Sequence, residues 1–178
     1  MLLIVFMVAG VMAGRLLAQS PEMDHKEKMQ VFADWVGDWK GEGSMQMGPG
    51  EPAKSTVDEH VEWKLDGTVL MVEGVGKRMD PSTNKEIVVH HALGIISFDQ
   101  QSGEYKFKSY LSDGRSTDAW LKTVEENKFQ WGFDSPRGKI RYNITVDPGK
   151  KTWQETGEYS QDGNSWMKFF EMNLTKAD

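Results

Sequence analysis

From residue 37 onward, apolar and polar residues alternate in short runs, and a turn signal cuts each run. Phe129, Trp131 and Phe133 alternate before Asp134-Ser135-Pro136-Arg137-Gly138, and Ile140, Tyr142, Ile144 and Val146 then alternate against Arg141, Asn143 and Thr145. A period of two places successive side chains on opposite faces of a strand. Ser55 to Lys64 carries Val57, Val61 and Trp63, with Glu59 in the same phase, and turns at Leu65-Asp66-Gly67. Thr68 to Lys77 answers it with Val69 and Met71, and Gly74 and Gly76 mark a bend in the wall. Glu86 to Phe98 is the most apolar run, and Asp99 to Gly103 turns it into Tyr105, Phe107, Ser109 and Leu111. The last hairpin, Trp153 to Leu174, has aromatic-rich arms around Ser160-Gln161-Asp162-Gly163, and an Asp-Gly pair between such arms is a strong tight-turn signal.

These spacings predict about ten strands in a hairpin meander. No helical pattern separates them, so a parallel sheet is not expected. A single antiparallel sheet of that length curls, and closure removes both edges. The fold class is therefore all-β, an antiparallel up-and-down β-barrel; a two-sheet sandwich is the alternative.

Two segments precede the barrel, which is expected over residues 37–176. Asp24 to Val36 places Met29, Phe32, Trp35 and Val36 at spacings of three and four, which predicts an amphipathic helix with Asp24 as N-cap and Gly37 just past its end. It belongs to an N-terminal segment, residues 20–36, read as a lid packed on the barrel end. Met1 to Gly14 is uncharged and almost wholly apolar, shorter than the roughly 20 residues of a spanning helix. It fits a secretory segment over residues 1–19, with Leu16 and Ala18 at the −3 and −1 positions for cleavage. The mature protein is then expected in the periplasm or secreted, with no stable membrane insertion after signal cleavage.

Composition narrows the function classes. The net charge of −6 argues against a nucleic-acid partner. The absence of cysteine removes disulfides, thiolate catalysis and cysteine-held metals. His25, His60, His90 and His91 include no pair at helical metal-site spacing, so neither a metal nor a cofactor is expected. No G-x-S-x-G occurs, and the glycines of residues 37–43 lack the Lys-Ser/Thr of a phosphate loop.

The polar residues taken as facing the interior carry the remaining chemistry: Arg141, Glu155, Glu171, and one of His90 and His91, with His91 chosen as the candidate. Trp131 and Trp153 would supply contact area. An Arg beside carboxylates is most often a structural ion pair; an Arg pocket would instead suit a carboxylate-bearing ligand.

Particular residues also carry a resemblance. Gly37-Asp38-Trp39 after a short helix is similar to the G-x-W opening of lipocalin and calycin barrels. The closing pattern is Trp131-Gly132-Phe133, Arg141-Tyr142, Trp153-x-Glu155, Gly157-Glu158-x-Ser160, Asp162-Gly163-x-x-Trp166 and Phe170-Glu171-Met172. Together these resemble bacterial domain-of-unknown-function family 1579, whose members are small and often exported, over residues 27–176. The resemblance implies a lipocalin-like barrel and no established activity. Gly37 to Gly43 is also similar to the opening of the nitrobindin-type haem barrels. Those take a histidine near the C-terminal end as iron ligand, and none follows His91 here. Such barrels often end on an Arg that packs under the motif's Trp, and here Lys176 stands in its place.

The expected function is an exported, non-enzymatic barrel that binds a small, largely apolar ligand with a polar or acidic end. The alternatives are an enzyme on the same barrel, using interior carboxylates or a histidine for proton transfer, and an envelope protein with a filled interior. The barrel exterior has no sequence mark of oligomeric state.

Overall fold

The computed structural model describes residues 25–46 and 48–177. The expected secretory segment 1–19 and the Asp24 cap lie outside the described residues. Ten antiparallel strands close into one barrel in which each strand pairs with its neighbours in sequence, and the first pairs with the last. In chain order they are β1 (Gly37–Met45), β2 (Ala53–Lys64), β3 (Val69–Asp80), β4 (Lys85–Asp99) and β5 (Glu104–Leu111), then β6 (Ser116–Glu125), β7 (Lys128–Ser135), β8 (Gly138–Asp147), β9 (Thr152–Ser160) and β10 (Met167–Lys176). Closure runs through Trp39, whose register partners are Glu59 on β2 and Lys176 on β10. The up-and-down barrel is as expected, and the sandwich is not formed.

The N-terminal helix differs in type from its pattern. α1 (His25–Met29) gives way to a 3₁₀ segment over Gln30–Trp35. Met29, Phe32 and Trp35 stand three apart, the period of a 3₁₀ turn, and all three are buried in one row. That row stoppers one end of the barrel. The Phe32 ring lies 5.1 Å from Tyr105 and 5.2 Å from Phe129, and Trp35 lies 4.6 Å from Trp153. The Tyr105 hydroxyl donates to the Lys28 carbonyl at 2.8 Å and ties the helix to β5.

Trp39 completes this floor. Its indole N–H donates to the Trp35 carbonyl at 2.7 Å, and the Lys176 ammonium sits 5.1 Å from its ring centroid. Gly37 makes that approach possible. Its φ is +131°, and a Cβ there would lie 2.7 Å from the Lys176 Cε. Lys176 thus packs on the motif's indole as a point charge rather than a planar stack.

Along every strand the residues in phase with this floor face the lumen. Those nearest the helix, among them Leu70, Ile96, Phe129, Val146, Trp153 and Leu174, are sealed. Toward the opposite end, in-phase residues such as Phe107, Ser109, Thr117, Trp131, Phe133 and Phe170 keep partial exposure. The lumen is therefore closed at the helix end and open at the other. Among the described residues, no helix is long and apolar enough to cross a membrane.

Candidate functional site

Two carboxyls mark the level where the packed floor gives way to the open half. Glu155, on β9, is in phase with Trp153 and is only 8% exposed. The Trp131 indole N–H donates to its Oε1 at 3.0 Å. The buried Trp153 N–H has no acceptor of good geometry, although it too favours the Glu155 carboxylate. Glu59, on β2, is flanked in register by Trp39 and Gly74. A Cβ at Gly74 would lie 2.5 Å from Glu59 Oε1, so the glycine leaves the space that this carboxyl occupies. Glu59 is crowded by the walls yet retains some accessible surface, and it borders a groove shared with Trp39, Asp58, His60 and Glu73.

Burial governs the protonation of both groups. Removal from water penalises the carboxylate and pushes Glu155 up to about 7, against the opposing pull of the two indole N–H groups. Burial first, and the Glu155 charge second, push Glu59 up to about 8. Neither carboxyl has a cation among the groups that shift it. At neutral pH the pair therefore holds at least one proton, because two like charges in one desolvated lumen are not accommodated together.

Aromatic rings border Glu155 on the β7–β8 side. Trp131 stacks on Tyr142 with centroids 4.1 Å apart and planes at 9°, and Phe107 meets Trp131 edge-on at 4.8 Å. Phe170 meets Tyr142 edge-on at 5.9 Å. Burial, and then the Glu155 charge, raise the Tyr142 hydroxyl above its ordinary value, so it stays neutral. Gly94 leaves room for the Phe107 ring, since a Cβ there would lie 2.7 Å from a ring carbon. An apolar wall with a small number of convergent polar groups is the usual make-up of a small-molecule site.

The residues singled out from sequence divide between the two faces. Glu155, Trp131 and Trp153 come together in the lumen. Arg141, Glu171 and His91 face outward, contrary to the interior placement expected of them. Arg141 alternates with Tyr142 and Ile144, which take the inward positions. Its Nε donates to Glu158 at 2.6 Å, and its guanidinium lies 3.8 Å from the Trp166 ring centroid on the outer wall. Glu171 stands between the inward Phe170 and Met172 and accepts from the Lys168 ammonium at 2.7 Å outside. His91 pairs with the outward Val75, and its Nε2 lies 2.8 Å from Glu73. His90 pairs with the inward-facing Gly76 but sits exposed at the mouth, next to a break in register at Gly76/Lys77.

Glu59 was not among the expected site residues. Its phase with Val57, Val61 and Trp63 was visible in the sequence and was the signal for it. Tyr142 likewise shares the phase of the inward β8 positions. Among the described residues, no group of three or more His, Asp or Glu side chains could hold a metal ion.

Comparison with known proteins agrees with this architecture. The model of the family described as "Protein of unknown function (DUF1579)" matches residues 24–176. The chain belongs to the DUF1579 family. No curated protein matches it. Among solved structures, the S-type phycobiliprotein lyase CPES from Guillardia theta is similar, with a TM-score of 0.56 and 11% identity, over 84% of this chain and 92% of that one. At that identity the likeness is one of fold. A DUF3598-family protein of unknown function from Nostoc punctiforme also matches over 84% of this chain and 98% of its own, at 7% identity and a TM-score of 0.26.

Proposed function

We propose that this DUF1579 barrel is a small-molecule binding protein that takes a largely apolar ligand into the open half of its lumen, with the ligand's polar end at Glu59 and Glu155. One observation carries the reading: inward-facing side chains are sealed at the helix end and solvent-accessible at the other, with two uncompensated carboxyls at the boundary. An apolar body would lie against Trp131, Tyr142, Phe107 and Phe133, at a gain of about 25 cal/mol for each Å² withdrawn from water. Export, on the strength of the Met1 to Gly14 run, would set this binding in the periplasm or the medium.

A second reading has its own support. Carboxyls with pKa values of about 7 and 8 suit general acid–base transfer at neutral pH, so the same pair would serve proton transfer on a bound molecule.

Native mass spectrometry of the full chain isolated from its own host, paired with titration of an environment-sensitive apolar dye, tests the binding reading. A releasable small-molecule adduct, or saturable dye binding, is expected for the wild type. Ser109→Trp, which places an indole in the open half, should abolish it while the protein stays folded. A bare wild-type mass together with no dye binding would contradict the proposal.

A further inference from the structure

We infer that the polar end of the ligand is an organic cation, a protonated amine or quaternary ammonium group, held by Glu59 and Glu155 beside Trp131 and Tyr142. This rests on the binding reading and deepens it. Glu59, between Trp39 and Gly74, and Glu155, between Ile144 and Met172, both take inward register positions, and no cation is among the groups that shift either carboxyl. The inward-phase Lys176 is held on the Trp39 ring at the floor, and the basic residue that the sequence placed inside, Arg141, is engaged outside by Glu158 and Trp166. An anionic head would meet two acids and no partner. A neutral hydroxyl would leave the ionisation of the pair as costly as in the free barrel and would gain nothing as pH rises. A cation satisfies both carboxyls at once, and desolvated carboxylates next to aromatic rings are the chemistry that recognises ammonium groups.

Binding is then linked to protons. The free pair holds at least one proton at neutral pH, and a cation that binds between the carboxyls favours the doubly ionised state. Each carboxyl O–H still present breaks, its proton passes to the buffer, and the ammonium charge is held by the carboxylates left behind. The groups facing the pair are known on each side. Trp39 and Gly74 flank Glu59, and Ile144 and Met172 flank Glu155, so no flanking position carries charge. Tyr142 stays protonated. His90 at the mouth, exposed at its edge but held below its ordinary 6.5 by partial desolvation of its ring and then by the His91 and Arg115 charges, is mostly neutral at pH 7 and above.

The experiment titrates the full chain with decyltrimethylammonium, decanol and decanoate, three probes that share a tail and differ in head. Indole fluorescence reads affinity, and calorimetry in phosphate and Tris buffers reads proton release. The cation should bind at least about tenfold more tightly than either of the others. Its affinity should rise between pH 6.5 and 8.5, with proton release greatest at pH 6.5, where both carboxyls are mostly protonated in the free barrel, and falling to a small fraction at pH 8.5. Glu59→Gln and Glu155→Gln should each weaken the cation by about tenfold and leave decanol within about twofold. Decanoate or decanol binding as tightly as the cation would overturn the inference while keeping the binding reading, as would a cation affinity that is flat in pH. Binding of none of the three would overturn both.

Discussion

The two halves of the lumen are built from the same alternating strands, yet they solve opposite problems. At the helix end, Phe32, Trp35, Trp39, Phe129 and Trp153 meet ring to ring, and each is at most 3% exposed. At the other end the inward positions include the small Ser109 and Thr117 beside the rings of Trp131, Phe133 and Phe170, and all of these keep partial exposure. The first half is an aromatic core that holds the barrel shut. The second carries Glu59 and Glu155, groups that a protein optimised only for stability would replace by apolar residues. Packing is dense where it stabilises, and polarity stands where space remains.

The comparison breaks most sharply at the floor. Phe32→Ala removes a ring with no exposed surface from a site that cannot collapse around it, and should cost about 4 kcal/mol in chemical denaturation. Loss of the stopper should also let an apolar dye enter from the helix end. A small loss would mean that the helix is an ornament on an independently stable barrel.

Next in size is the pH dependence of stability. Between the ordinary 4.5 of a free glutamate and the folded values of about 7 and 8, both carboxyls are ionised in the unfolded chain and protonated in the folded one. Unfolding releases protons in that window, so stability present at pH 4.5 is lost as pH rises toward 8. The loss should reach a few kcal/mol, because each tenfold difference in proton affinity between the folded and unfolded chain is worth about 1.4 kcal/mol. The double variant Glu59→Gln/Glu155→Gln should flatten it. A wild-type melting temperature that climbs from pH 5 to 8 would contradict the placement of the pair.

Gly74→Ala comes third. The new methyl would collide with the Glu59 carboxyl, the mobile end of a side chain rather than backbone, so the expected cost is about 1 kcal/mol. The carboxyl should be displaced toward the open lumen, and its titration should move back toward ordinary values. The smallest effect belongs to the outer wall. Arg141→Ala removes an ion pair and a cation–π contact at a partly exposed site, worth about 1 kcal/mol or less, and should leave ligand affinity unchanged. A large loss of affinity on Arg141→Ala would return that residue to the lumen.

How much of this could be read beforehand follows from the physics of a strand. The barrel was legible because turn chemistry and two-residue alternation are local: Asp-Gly at 162–163, or Phe129-Trp131-Phe133, needs no distant partner to be recognised. Glu155 was legible by its phase with Trp153. Arg141 and Glu171 were misplaced although their strands alternate well, because the more polar face was read as lining a cavity. In a closed barrel the apolar face turns inward, and the polar face meets water. His90 and His91 lie in an apolar stretch with little alternation, next to a break in register at Gly76/Lys77, and phase is not defined there by sequence. The convergence of Glu59 with Glu155 comes from strands far apart in the chain, and only closure brings them into one lumen.

Everything proposed for the lumen depends on two carboxyls being held inside the barrel at the boundary between its halves. Carbon-detected NMR of the protein labelled at its glutamate carboxyls, followed from pH 3 to 10, tests this directly. Two resonances should titrate near 7 and 8 and disappear one at a time in Glu155→Gln and Glu59→Gln, while Glu171, whose carboxylate the Lys168 ammonium stabilises, titrates below the usual range. Titration of every glutamate at or below about 4.5 would contradict the account and place both groups in water.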